Sequence, residues 1–375
     1  MDGFGARTTP SEGIHDDLFA RALYITDGTT SMAVVSCDIT WISDELRVAT
    51  EAFLRERGEQ VELLLCATHN HSGPTIMNLI CLLNGQNKAY LRELPKRIAD
   101  TIVKARETAV PATVEVGNGE VDFAFNRRIL NGPVDKSFVA ATFSSYEGYE
   151  LARIVNYGCH GVVLGKNNRI ISADFPGPLA SSLEERGSVC LFLNGACGDV
   201  NPYTCKGYAC LGSFEDADAM GKDIAIAVKS AKYSTPSRNV DRIEFRKLKL
   251  GLRRKRRFPP GRLDVEVCVA DVFGVQVLGV EGEIFAETGI AIRESLEPNR
   301  VIIAGYTGGY KGYIPTEDTF RLRNYEASLL CWVDATAERE LRSVCIESLR
   351  KSCITETSPE SPSAAINERR AIQSI

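Results

Sequence analysis

Several short apolar runs in this chain break off into a loop carrying a chemically capable residue, and that repetition limits the folds open to it. Val61–Leu65 leads to His69 and His71, Leu151–Tyr157 to His160, and Val189–Leu193 to a loop that ends near Asn201. Val265–Val280 leads to Glu281 and Glu283, and Val301–Ala304 opens into a Gly-rich loop reaching Tyr313. Short apolar runs bounded by Gly, Pro and Asn read as buried strands. Phe19–Ile25 and Met32–Asp38 read as two more strands, joined by an Asp27-Gly28 hairpin signal. Helical periodicity covers Ser43–Gly58, Lys88–Thr108 with Pro95 as a kink or break, Pro178–Arg186, Glu215–Ala231, Ile284–Leu296 and Tyr325–Lys351. Ile76–Leu83 reads as a core helix or the wall of an apolar pocket. Strands alternating with helices predict an α/β fold, and such folds place ligand sites beyond the strand ends.

A chain of 375 residues with 44% hydrophobic content buries a large core, as one α/β domain or two. The net charge of −5 gives no reason to expect a nucleic-acid partner. The basic run Arg253–Arg257, followed by Phe-Pro-Pro-Gly, reads as a solvated loop with scope for a phosphate or acidic contact. No apolar run approaches the ~20 residues of a membrane span, and no stretch has the order of a signal peptide. The 12 cysteines are scattered and are expected as reduced core thiols, which with the missing leader predicts a cytoplasmic protein. The expected organisation is one catalytic domain over residues 1–352 and a disordered, Ser/Glu/Pro-rich tail over residues 353–375.

The chain has only 4 histidines, and His69 and His71 stand one residue apart at a strand end. Neutral imidazole on a rigid strand terminus suits zinc, although such a pair can also be two turn residues. His15 reads as a local turn residue. Glu281 and Glu283 compete for a metal, since a spacing of two puts both on one face of an extended segment. Asp38 and Asp174 could orient a metal-bound imidazole or could be ordinary caps. Cys197 is a candidate nucleophile or a structural thiol. Asn194–Pro202 could cradle a phosphate, but it lacks the Gly-Lys-Ser/Thr ending of a phosphate loop.

Taken in order, these loops resemble the N-terminal catalytic domain of the neutral (non-lysosomal) ceramidase family. Thr68-His-Asn-His-Ser-Gly-Pro74 resembles that family's Thr-His-Thr-His-Ser-Gly-Pro, and Asn126-Arg127 its Asn-Arg-Ser. His160 ahead of Ser172-Ala-Asp174 resembles its second histidine ahead of Ser-Ser-Asp, and Gly198-Asp-Val-Asn-Pro202 its Gly-Asp-Val-Ser-Pro. Gly282-Glu283, Tyr313-Ile-Pro-Thr316 and Tyr325-Glu326 resemble its Gly-Glu, Tyr-Ile-Thr-Thr and Tyr-Glu. The likeness runs from about Asp2 to Ala327.

The resemblance implies a mixed-sheet α/β fold and a Zn2+ ion held by His69, His160, Glu283 and Tyr313. It places His71, Arg127 and Tyr325 on the substrate side, and Gly3 near the substrate. The implied activity is hydrolysis of the amide bond of a small or acylated substrate by zinc-activated water, with His71 or Tyr313 shuttling the proton. Asn201 stands where the family carries its active-site serine. It cannot be that nucleophile but can donate to an oxyanion. Two other readings follow: an esterase or lactonase using the same zinc, or a metal-binding or ligand-binding homologue without catalysis. The family's secreted members carry a leader and a C-terminal β-sandwich domain, which this sequence does not show, so a substrate more soluble than ceramide is expected.

Overall fold

A computed structural model describes all residues except 6, 8, 77–86, 186, 208, 239, 257, 297–300, 323, 355–370 and 375. Its centre is a nine-stranded mixed sheet. Along the main path the order is Val189–Asn194, Glu150–Tyr157, Ser137–Ser145, Val110–Glu120, Ala371–Ser374, Ala20–Thr26, Ser31–Cys37 and Glu62–Ala67. Tyr233–Ser234 pairs off this path with Val110–Glu120. The pairings at both ends are parallel, and the others along the path are antiparallel. A second, four-stranded sheet runs Ile243–Arg253, Arg262–Val272, Val275–Val280 and Ile302–Ala304.

The strands alternate in a way that explains their unbroken apolar runs. On one face, Ala33, Val35, Leu63 and Leu65 pack against the helices Asp44–Glu56, Lys88–Glu107, Pro176–Leu183 and Phe214–Ser230. On the other face, Leu23, Val34, Leu64 and Leu191 meet Ala270, Val277 and Ile302 of the smaller sheet. The far side of the smaller sheet packs Val267, Leu278 and Ile303 on helices Ala286–Glu294 and Ala337–Ile354. The result is four layers: helix, sheet, sheet, helix. A strand buried on both faces has no polar position to offer, so polar chemistry collects at the strand ends.

Two buried contacts lock the layers. Ser36 Oγ donates to Phe192 O at 2.6 Å, joining the first strand of the large sheet's order to the next-to-last. Asn156 Nδ2 donates to Leu193 O (2.7 Å) and Ile303 O (2.8 Å), and its Oδ1 accepts from Ile303 N and Arg293 Nη2. One amide therefore ties the two sheets together.

The structure corrects two expectations. Tyr325–Lys351 is not one helix: a 3-10 turn spans Tyr325–Ala327, and the α-helix begins only at Ala337. Between them Cys331 and Val333 are buried and bridge Gly312 and Arg254, so tertiary pairing overrides helical periodicity. Cys205 and Cys210 form a disulfide, whereas Cys37, Cys66, Cys159, Cys190, Cys197, Cys268, Cys331 and Cys345 are free and buried. Residues 355–370 and 375 of the 353–375 segment lie outside the described ones, and Ala371–Ser374 pairs within the large sheet. The helix Lys88–Glu107 runs through Pro95 without a break. The reading of Ile76–Leu83 falls on residues outside the described ones beyond Ile76.

Replacing Asn156 with Leu would strand the carbonyls of Leu193 and Ile303 and one face of the buried Arg293 guanidinium. The expected cost is about 3–5 kcal/mol, read as a lower urea midpoint for unfolding.

Candidate metal centre and substrate pocket

The strands Glu62–Ala67, Glu150–Tyr157 and Val189–Asn194 deliver their loops to one edge of the sheet. Asn194, the last residue of the third strand, joins the other two. Its Nδ2 donates to Thr68 O (2.9 Å) and Cys159 O (2.8 Å), and its Oδ1 accepts from Cys159 N. Thr68 and Cys159 are the residues immediately before His69 and His160. His69 turns the chain with a left-handed φ of 61°. His71 N donates to Gly161 O at 3.0 Å. A Cβ on Gly161 would lie 2.9 Å from His69 O, so only glycine permits this approach of the two loops.

His69, His71 and His160 are buried and offer nitrogens that lie within 4.8 Å of one another. His69 Nδ1 sits 2.7 Å from Thr40 O, and His160 Nδ1 sits 3.1 Å from Val200 O. A carbonyl only accepts, so each ring proton stays on Nδ1 and each Nε2 presents a bare lone pair. Both point at Glu283: the Nε2 atoms of His69 and His160 lie 3.6 and 3.5 Å from Glu283 Oε2. His71 Nε2 lies 3.0 Å from His69 Nε2. Burial pushes the His69 imidazole down to about 3 and holds His71 and His160 well below the ordinary histidine range. Uncharged imidazoles and a carboxylate converging on one point are the donor set a divalent cation requires, so these residues fit a metal.

The remaining candidates surround this point. Glu283–Ile284 pairs in parallel with Tyr313–Ile314, placing Tyr313 beside Glu283. Arg127 fans out from its loop: Nη2 donates to Tyr313 Oη (3.1 Å) and Gly198 O, Nη1 to Asn201 Oδ1 (3.2 Å), and Nε to Glu326 Oε1 (2.9 Å). Nη1 also lies 3.4 Å from His160 Nε2. Asn201 Nδ2 donates to Gly207 O at 3.0 Å, inside the loop closed by the Cys205–Cys210 disulfide. Tyr325 stacks edge-on to Tyr313, with ring centroids 6.0 Å apart. Gly3, with a φ of +85°, packs on His71 so closely that a Cβ would lie 2.3 Å from the ring. Thus His69, His160, Glu283, Tyr313, His71, Asn201, Arg127 and Tyr325 do come together.

Other candidates take different places. Glu281 accepts from Glu266 N and faces Lys311, away from the histidines. Asp38 pairs with Arg21, and Asp174 accepts from three backbone N–H groups, so neither orients an imidazole. Cys197 is buried against Tyr306 Oη at 3.1 Å, and burial pushes its thiol up, which disfavours a thiolate. The backbone amides of Gly195, Gly198 and Val200 bond to Tyr157, Ile284 and Cys197, so these three are not offered to a phosphate. His15 stacks on Phe214 elsewhere on the surface.

Sequence reasoning missed the residues that hold Glu283. Tyr310 Oη donates to its Oε1 at 2.8 Å, and Tyr306 lies flat on His69 at 3.8 Å while reaching Glu283 Oε2. Both belong to the Gly305–Tyr313 loop, where the density of tyrosines was the available signal. The site opens into a cavity of about 800 Å³. Its walls include Phe4, Trp41, Tyr310, Leu330 and Trp332, so both tryptophans of the chain face it. His71 Nδ1 borders this cavity and is buried without a partner.

Two substitutions test this construction. Asn194→Ala leaves Thr68 O, Cys159 O and Cys159 N unpaired, and is expected to lower stability by about 3–5 kcal/mol in denaturant unfolding. Gly3→Ala should leave the melting temperature nearly unchanged while a crystal structure shows the His71 ring displaced from His69; an unmoved ring would contradict the packing described.

Comparison with known proteins matches this arrangement to one group. The family profile described as neutral/alkaline non-lysosomal ceramidase, N-terminal, covers residues 1–220. Neutral ceramidase B of Dictyostelium discoideum is 28% identical over 198 residues, 46% of this chain and 27% of that protein. Neutral ceramidase A of the same organism is 27% identical over 210 residues, 50% of this chain and 29% of that protein. The aligned part therefore spans under a third of either relative. A ceramidase complexed with C2 superposes with a TM-score of 0.76 at 16% identity, covering 96% of this chain and 74% of the other. Neutral ceramidase from Pseudomonas aeruginosa gives 0.75 at 17%, covering 94% and 72%. These structures share the fold. With more than half of its length matched by the family profile, this chain belongs to the neutral/alkaline non-lysosomal ceramidase family.

Proposed function

We propose that this protein is a zinc-dependent hydrolase that cleaves the carbon–nitrogen amide bond of an acylated substrate. The observation that carries the reading is the pair of bare Nε2 lone pairs of His69 and His160 aimed at Glu283. Family membership supports the amide class. His69, His160 and Glu283 would hold the ion, with Tyr313 as a further oxygen donor and His71 turned toward the substrate. A zinc ion there supplies Lewis acidity toward the scissile carbonyl and acidifies water.

The chain's own residues do the rest. Arg127 brings a buried positive charge, fixed by Glu326, to the side where an oxyanion develops. The uncharged His71 accepts a proton from the attacking water and returns it to the leaving amine, so the C–N bond breaks as acid and amine form. The apolar cavity takes the acyl or other apolar portion and excludes water.

Asn201 favours one competing reading. Its amide accepts from Arg127 and donates to Gly207 O and, at 3.8 Å, to Cys210 Sγ, and it provides no hydroxyl nucleophile. A homologue that binds metal and ligand without turnover would look the same at this position.

Metal content by mass spectrometry, together with turnover of a panel of acyl amides and matched esters, decides between these. About one zinc per chain, with His69→Ala and His160→Ala each losing the metal and at least ~10²-fold in rate, supports the proposal. Activity unaffected by either variant sinks it. Bound zinc with no turnover of any amide or ester selects the binding homologue.

A further inference from the structure

Arg7 has no part in this reading, although it lines the cavity beside His71. Among the described residues it is the only arginine or lysine on the cavity wall. Its half-buried guanidinium bonds to backbone carbonyls. Nε donates to Lys166 O (3.2 Å), Nη2 to Gly165 O (2.7 Å), and Nη1 to Asp2 O (3.1 Å) and His71 O. A guanidinium carries five N–H groups, so these bonds leave one, on Nη2, for a further acceptor.

Its charge also lacks an ion-pair partner among the described residues. The buried Arg21 and Arg127 each bond to a carboxylate, Asp38 and Glu326. Asp2 and Asp174 act on Arg7 only from a distance. Asp2 accepts from Gly3 N (2.9 Å) and Ile76 N (3.3 Å), and Asp174 from Val163 N, Leu164 N and Phe175 N. Glu283, the other carboxylate on the wall, is aimed at the histidines. A cation drawn out of water with no anion beside it is costly, and burial pulls the Arg7 guanidinium down to about 10. A second part of the wall is aromatic. Trp41 stacks on Tyr310 with centroids 4.5 Å apart, and Tyr310 meets Trp332 edge-on at 6.1 Å.

We infer that the cavity takes an N-acyl amino acid, whose carboxylate pairs with Arg7 while its acyl group lies on the Trp41, Tyr310 and Trp332 rings. The amide hydrolysis proposed above, on which this rests, thereby acquires a substrate class. Arg7 is tied to the main chain of His71, the residue that returns a proton to the leaving amine, so the anion belongs to the amine portion. Water's oxygen joins the acyl carbon, the C–N bond breaks, and the proton held by His71 goes to the nitrogen. A carboxylic acid and a free amino acid result. Guanidinium is the side chain best matched to a carboxylate, and a neutral amide leaves its charge unanswered. A purely structural Arg7, fastening the N-terminal segment, would treat charged and neutral ligands alike.

The probe is the ketone analogue of N-dodecanoylglycine, with a methylene in place of the scissile N–H, as the free carboxylate and as the primary amide. It has no scissile C–N bond, so calorimetry on the full chain as purified reads binding independently of turnover. The expected result is an affinity for the carboxylate about tenfold or more above that for the primary amide, falling to within about a factor of two in Arg7→Gln. Arg7→Lys keeps the charge and should retain part of the preference. The affinity for the primary amide and the melting temperature should stay as they are in the unmodified chain. Absence of binding or equal affinity for the two probes in the unmodified chain overturns the inference. So does a preference undiminished in Arg7→Gln, which places the carboxylate elsewhere, or an equal loss of both probes, which makes Arg7 a structural tie only. Turnover of N-dodecanoylglycine is read separately. The carboxylate preference without turnover supports the Arg7 site and sinks the hydrolase reading, whereas turnover with no preference keeps the hydrolase reading and overturns this one.

Discussion

The side-chain amide of Asn194 is the contact on which the site depends. It ends one strand and bonds to the residues that precede His69 and His160, which arrive from two other strands. An amide is suited to this task because it donates and accepts at once, without carrying charge into a buried position. A carboxylate could not donate to two carbonyls, and an aliphatic side chain would leave three backbone groups unsatisfied. Below it, Asn156 uses the same property to fasten the large sheet to the small one. The small sheet in turn leads into Glu283. Two buried asparagines thus fix the histidine side of the site relative to the carboxylate side.

The layered architecture explains why the site lies where it does. Strands buried on both faces carry apolar residues throughout, so the chemically capable side chains are left for the loops beyond the strand ends. Those loops are themselves buried, which keeps the three imidazoles uncharged and ready to donate lone pairs. Burial also makes unmatched polar groups costly. The Nδ1 atoms of His69 and His160 are therefore paired with backbone carbonyls, and Glu283 with Tyr310 and Tyr306.

Asn201 shows how one position can be settled by its neighbours rather than by its own chemistry. Its oxygen accepts from Arg127, which also holds Tyr313 and Glu326. Its nitrogen secures the disulfide-closed loop at Gly207. The residue works as a tie between the Arg127 fan and that loop. At this position the chain offers a tied amide and no side-chain hydroxyl.

The sequence by itself determined the elements whose signals are local. The apolar runs, the helical periodicity and the polar residues at strand ends all depend on neighbours a few positions away. The ordered motifs around His69, Arg127, His160, Asn201 and Glu283 were legible through their resemblance to the family's. Only the tertiary structure decided which partners those residues meet. Glu281 and Glu283 share a face in an extended segment, and the turn at Gly282, with its φ of 135°, separates them. The carbonyls of Thr40 and Val200 that set the histidine protons come from distant backbone, whose chemistry is identical at every residue. The stretch after Ala327 has helical spacing, yet it is drawn into bridges with Gly312 and Arg254 because pairing with existing strand ends satisfies its backbone and buries Cys331 and Val333. Contacts of this kind join points far apart along the chain, and no periodicity records them.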